Sequence, residues 1–181
     1  MECLKKVVAG SFLLMSFNIF AATNNAPNTE TLRYYEDIVH SLPELEPVTW
    51  TAAAEKYKLL VFIDNQCIYC TQVVKNVKKY NDAGLTMSFI TVAPSSIRDS
   101  VIEDMGRVWC SADRKKSLQN AMAGFLPDND ASEACTNKIV KQSALADRLG
   151  VTATPVMVVI DKSVHPFIGS VPPAQILSEL Q

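Results

Sequence analysis

The period of apolar positions changes several times along this chain. In residues 29–42, Leu32, Tyr35, Ile38, Val39 and Leu42 recur three or four apart, which predicts a helix that Pro43 stops. Pro43 and Pro47 make residues 43–50 a connector. Residues 59–63 are continuously apolar over a strand's length, the pattern of a central strand buried on both faces. In 67–80, Val73, Val74, Val77 and Tyr80 share one helical face, while Lys75, Lys78 and Lys79 lie elsewhere. The late lysines suit the negative end of a helix dipole, and Gly84 follows as a stop. Residues 85–92 read as a second strand. A strand, a helix and a strand in this order predict a parallel pair with a right-handed crossover.

Residues 94–150 are mostly helical in pattern. Ser95 or Ser96 is placed to cap one segment, and Asp113 another that ends near Gly124. The stretch LPDNDAS at 126–132 breaks the pattern, and a third segment runs to Gly150 with Ile139, Val140, Leu145 and Leu149 as its apolar positions. Residues 156–160 are again a buried strand. Asp161-Lys162-Ser163 forms a turn, after which 164–168 pairs back antiparallel. Pro172-Pro173 opens a last helix that packs through Ile176, Leu177 and Leu180. Met87, Met105, Met122 and Met157 read as core residues, and Trp50 and Trp109 as packing anchors.

The N-terminus adds a compartment. Lys5 and Lys6 precede an apolar stretch from 7 to 20, then Ala21-Ala22-Thr23. A basic start, an apolar run short for a membrane span and small residues at its end predict a signal peptide over 1–22, with an uncleaved anchor as the alternative. Export through it would place the protein in the periplasm of a Gram-negative bacterium. Cys3 would leave with this segment, so Cys67, Cys70, Cys110 and Cys135 remain in an oxidising compartment, where disulfide chemistry is expected. The 181 residues are 48% hydrophobic, 20% charged and carry a formal charge of −2, which suits one sizeable domain and supplies no basic stripe for nucleic acid.

The chemistry centres on Cys67-Ile68-Tyr69-Cys70, which follows a buried strand and opens an amphipathic helix. Thiol exchange needs a thiolate to attack and a second thiol to resolve the mixed disulfide. Two intervening residues place both sulfurs on the first helical turn, where unpaired backbone N–H groups favour the thiolate of Cys67. Cys70, one turn in, is the resolving thiol. A zinc site would want a second such pair, and Cys110 and Cys135 are too far apart in sequence to form one. Ala153-Thr154-Pro155 precedes the strand VMVVI. A cis proline there would expose the Thr154 backbone near Cys67, ready to pair with an extended substrate; a trans proline would merely open the strand. The order of elements, with a CxxC at the first helix of the domain, describes an α/β thioredoxin-like fold. It has a mixed central sheet, helices on both faces and a helical insertion over about 95–150.

At this level the chain from about residue 59 onward resembles the catalytic domain of periplasmic disulfide isomerases of the DsbC/DsbG type. The resemblance rests on FIDNQCIYC at 62–70, DAGLT at 82–86, VWC at 108–110, AMAG at 121–124, Cys135, LGV at 149–151 and TATP at 152–155. It implies that Cys67 is the nucleophile, Cys70 the resolving thiol and Thr154 and Pro155 the substrate-binding cis-proline loop. It also implies that Cys110 and Cys135 form a second, structural disulfide. Ile68 departs from the small or proline residue usual after the first cysteine, so no redox potential carries over. Residues 23–57 read as one helix and a connector, too little for the family's N-terminal dimerisation domain, so the oligomeric state stays open; short secreted thioredoxin-like proteins of conjugative systems share this layout.

The expected organisation is a signal peptide at 1–22, a helical extension and connector at 23–57, and a catalytic domain at 58–181. The expected function is a periplasmic thiol–disulfide isomerase or reductase acting on exported cysteine-containing proteins. It needs no cofactor or metal and is kept reduced by a DsbD-type membrane reductase. The alternatives are a DsbA-like thiol oxidase served by a DsbB-type partner, or a non-enzymatic chaperone or assembly factor of a conjugative or secretion system. Asp64, at the end of the strand, either assists proton transfer to Cys70 or binds local backbone. Tyr69 lines the substrate surface, tunes the thiolate, or is a plain surface aromatic. His40 and His165 have no catalytic neighbours in the sequence, and the helix 67–80 lysines read as a solvated face.

Overall fold

The computed structural model describes residues 29–160 and 166–181. The signal pattern at 1–22, the turn at 161–163 and His165 lie outside the described residues. Five strands form one mixed sheet in the order β1-β3-β2-β4-β5. They are β1 (Val48–Trp50), β2 (Tyr57–Ile63), β3 (Leu85–Thr91), β4 (Val156–Val159) and β5 (Phe167–Ile168). β2 and β3 are parallel, with Leu59 opposite Met87 and Ile63 opposite Thr91. β1, β4 and β5 each join antiparallel. The helices are α1 (Thr29–Leu45), α2 (Ile68–Lys75), α3 (Val77–Asp82), α4 (Arg98–Cys110), α5 (Arg114–Ala121), α6 (Glu133–Arg148) and α7 (Pro173–Leu180).

The continuous apolar run is buried because the sheet is covered on both faces. Leu59, Val61 and Ile63 point to one side, among Val73, Val74, Met105, Trp109 and Ile176. Leu60 and Phe62 point to the other, among Ile38 and Leu45 of α1 and Leu145 and Ala146 of α6. The four methionines read as core residues are all buried. Trp109 is buried, and Trp50 stands edge-on to Phe89 with ring centroids 5.4 Å apart.

Several boundaries differ from the sequence pattern. α1 runs through Pro43 to Leu45. Proline removes only its own N–H bond, which one last turn tolerates. The helix ends instead at Glu46, whose φ of 48° turns the chain out of the helix. The connector contains β1, a short strand with too few residues to show an alternation. The helix expected over 67–80 breaks at Asn76, whose side chain bonds to Gln72 O at 2.8 Å and competes with the helical ladder. Neither Ser95 nor Ser96 caps α4: residues 95–97 form a 3₁₀ turn, and Ile97 stands at the cap with no side-chain bond. Val140 is exposed on α6 rather than part of its apolar face. Asp113 caps α5 by accepting from Lys116 N.

Candidate functional site

The apolar run of β2 stops at Asp64, a carboxylate only 4% exposed. Its Oδ1 accepts the backbone N–H of Gln66 at 2.9 Å, an Asx turn that swings the chain from the strand into α2. Cys67 then sits at the helix N-cap with extended backbone (φ −90°, ψ 115°). Its Sγ accepts the N–H of Cys70 at 3.3 Å, so a sulfur fills the place of a capping oxygen. Two further bonds tie the turn to α4: Asn65 Nδ2 donates to Asp104 Oδ2 at 2.8 Å, and Gln66 Nε2 to Ser100 Oγ at 2.9 Å. Thr71 Oγ1 donates to Met122 O at 2.9 Å and anchors the first turn of α2 to the end of α5.

The loop before β4 reaches the same point. The Thr154–Pro155 peptide is cis. Cys67 Sγ donates to Thr154 O at 3.3 Å, and Thr154 Oγ1 donates to Asp64 Oδ2 at 2.6 Å. Asp64, Cys67, Cys70 and Thr154 therefore meet in space, although Thr154 and Cys67 are 87 residues apart. Tyr69 stands at the rim, 56% exposed, beside a still more exposed Ile68. Cys110 and Cys135 lie apart from this cluster, bonded to each other with Cα atoms 5.6 Å apart, and join the end of α4 to the start of α6.

The two site thiols differ in environment. Cys67 is half-buried and Cys70 fully buried, and they are not bonded to each other. Burial pushes the Cys70 thiol far above its ordinary value, and the hydrogen bond with Cys67 adds to the rise. Cys70 is therefore held as a neutral thiol at neutral pH. Asp64, Cys67 and Cys70 place their ligand atoms within 4.8 Å of one another. Both carboxylate oxygens of Asp64 are already engaged, by Gln66 N and by Thr154 Oγ1.

Ser100 and Asp104 carried no signal of their own in the sequence, and Asn65 and Gln66, although inside FIDNQCIYC, carried none that named their partners. Polar residues beside a CxxC resemble any loop, and only the packing of α4 across the turn gives them partners. The same holds for Gln142. It is fully buried, accepts Thr91 N at 2.7 Å and donates to Leu45 O at 2.7 Å, and so joins the ends of β3 and α1 through α6.

Residues 47–181 match the family model of a thioredoxin-like domain. The thiol:disulfide interchange protein DsbC of Salmonella typhimurium is 31% identical over 123 residues, 68% of this chain and 51% of that protein. DsbC of Escherichia coli K12 is 29% identical over 132 residues, 73% of this chain and 54% of that protein. The chain thus spans about half the length of these curated relatives. Among solved structures, a disulfide interchange protein from Neisseria gonorrhoeae superposes with a TM-score of 0.62 at 20% identity, covering 75% of this chain and 94% of that one. The catalytic domain of Proteus mirabilis ScsC superposes with a TM-score of 0.57 at 16% identity, covering 78% and 93%. The match begins at the residue before β1, takes in the whole sheet and carries the paired cysteines with it: this chain belongs to the thioredoxin-like domain family.

Proposed function

We propose that this protein is a periplasmic thiol–disulfide oxidoreductase, working as an isomerase or reductase on exported cysteine-containing proteins. One observation carries the reading. Cys67 Sγ caps a helix, lies 3.3 Å from the Thr154 carbonyl, and has a buried thiol and a buried carboxylate behind it. The DsbC relatives and the periplasmic thioredoxin-like protein of Salmonella enterica among the structural neighbours support the same chemistry and compartment.

In this reading the Cys67 thiolate attacks one sulfur of a substrate disulfide. A Cys67–substrate disulfide forms, and the other substrate sulfur leaves as a thiolate that takes a proton from solvent. In isomerisation a second substrate thiolate attacks its own mixed-disulfide sulfur, and Cys67 leaves as the thiolate. In reduction Cys70 loses its proton to Asp64 and attacks Cys67; a Cys67–Cys70 disulfide forms and the reduced substrate departs. A membrane reductase of the DsbD type then returns two electrons to the pair. Thr154 and Pro155 hold the substrate chain, Tyr69 lines its path, and the Cys110–Cys135 bridge is structural.

Refolding of scrambled ribonuclease tests the activity: wild type accelerates it, and a Cys67→Ala rate equal to wild type would sink the proposal. Alkylation of the cysteines in living cells tests the direction. A mostly reduced Cys67–Cys70 pair is expected, and a mostly oxidised one would identify a thiol oxidase instead.

A further inference from the structure

A cleft of about 500 Å³ opens beside the site, between the segment that follows β3 and the loop that precedes Pro155. Thr152, Ala153 and Thr154 line one side, and Ala93, Pro94 and Ser95 the other. Thr154 is shared with the thiol site, its carbonyl lying 3.3 Å from Cys67 Sγ, so the cleft adjoins the sulfur that a substrate segment would reach. Two charged residues, Arg98 and Asp147, line it.

These two charges are unequal. The Arg98 side chain is 38% exposed, and its Nη1 donates to Ala93 O at 3.3 Å, which holds the guanidinium against the cleft wall. Asp147 is 63% exposed and its Oδ2 stands 4.0 Å from Nη1, the outer limit of an ion pair. An exposed pair at that distance is weak and screened by solvent. Among the described residues, no hydrogen bond engages Nη2 or Nε of Arg98, so an edge of the guanidinium remains for a ligand. A planar fork of N–H donors fits a carboxylate by two parallel hydrogen bonds.

We infer that Arg98 is a specificity-determining residue, and that the cleft selects substrate segments with an acidic side chain near the cysteine that Cys67 attacks. The inference rests on the proposal that Cys67 is the nucleophile. Arg98 does not touch the reacting sulfurs. It contributes to how tightly the flanking segment is held, and hence to the rate of mixed-disulfide formation at limiting substrate.

The test uses reduced protein and synthetic peptides, each with one cysteine disulfide-bonded to a chromophoric aromatic thiol. The Cys67 thiolate attacks the peptide sulfur, a Cys67–peptide bond forms, and the coloured aromatic thiolate leaves as the better leaving group. Glu, Gln or Lys is placed in turn at each of the positions flanking the cysteine. In wild type, Glu at one position should react about fivefold faster than Lys there, the scale expected of a partly exposed ion pair. That ratio should fall to about one at molar salt. It should fall likewise in Arg98→Gln, survive in Arg98→Lys, invert in Arg98→Glu and rise in Asp147→Asn. The aromatic disulfide alone, with no peptide, should react equally with all variants, which checks folding and the thiol. No preference for Glu in wild type, or the same preference in Arg98→Gln, overturns the inference while leaving the thiol chemistry intact. Failure of wild type to react even with the aromatic disulfide overturns the proposed function and this inference together.

Discussion

The Thr154 hydroxyl donates to Asp64 Oδ2 at 2.6 Å and joins the proline loop to the end of the central strand at a buried carboxylate. Thr154 thus faces two ways: its carbonyl accepts from Cys67 and its side chain satisfies Asp64. Thr154→Val keeps the shape and removes the donor. The buried Asp64 oxygen then loses its partner, at a cost of about 1–3 kcal/mol. Urea denaturation should show that loss, and single-turnover kinetics should show an altered rate for release of the mixed disulfide by Cys70. Unchanged values for both would remove Asp64 and Thr154 from any shared role.

Under the proposed mechanism, Asp64→Asn should separate the two steps of exchange. Formation of the mixed disulfide by Cys67 should stay within about threefold of wild type. Its resolution by Cys70 should slow by about 10²-fold, the usual scale for loss of a positioned proton acceptor. Rapid quenching with an alkylating agent measures both steps. Equal slowing of both would assign Asp64 a structural task.

The raised Cys70 thiol makes stability depend on pH. Its ordinary value is 9.0 and the folded value is higher, so the folded state holds its proton where the unfolded chain has lost it. Stability is therefore complete below pH 9 and falls as pH rises above it, by at most about 1.4 kcal/mol per pH unit from this group. Tyr80, raised by burial from 10.0, acts with the same sign at slightly higher pH. Chemical denaturation of the reduced protein between pH 8 and 11 should show the decline, and Cys70→Ala should make it shallower. An identical slope in the variant would contradict the assignment.

Gln142 binds two backbone groups of different elements, Thr91 N and Leu45 O. Gln142→Leu fills the volume but leaves both groups unpaired in a buried place. A loss of about 2–6 kcal/mol is expected from the two together. Hydrogen exchange should report faster opening of α1, whose last turn loses its tie to α6. Protection of α1 equal to wild type would show that its apolar contacts alone hold it.

The Cys110–Cys135 bond closes a loop of sequence separation 25. On the chain-entropy model it contributes about 3.5 kcal/mol. The double variant Cys110→Ala, Cys135→Ala should lose stability on that scale and keep the exchange chemistry of Cys67. Loss of exchange with stability unchanged would make the second pair a redox partner rather than a brace.

Much of this architecture is legible in local pattern. A run such as 59–63 is buried wherever it goes, because no solvated strand is apolar on both faces. Val73, Val74, Val77 and Tyr80 can share one side only in a helix, and all four are buried. The spacing of Cys67 and Cys70 places two sulfurs on one turn without knowledge of anything else. These features depend on residues a few positions apart, and the backbone geometry that relates such neighbours is the same in every protein.

Tertiary structure decided what depends on partners far along the chain. β1 exists because Val48–Trp50 lies beside β3, not because three residues prefer to be extended. Glu46 adopts a left-handed turn where Trp109 Nε1 donates to its carbonyl at 3.0 Å, while Arg114 and Lys138 hold its carboxylate. The task of Asp64, left open between proton carrier and backbone cap, acquired its neighbours only when Thr154 and Cys70 were brought against it. Arg98 reads in sequence as one more surface charge, and becomes part of a cleft only because the loop before Pro155 folds opposite it. The sequence by itself determined most of the elements and the spacing of the paired cysteines, since both follow from short-range geometry. Which polar groups surround that pair was decided by packing, since hydrogen-bond partners across a fold have no fixed spacing to read.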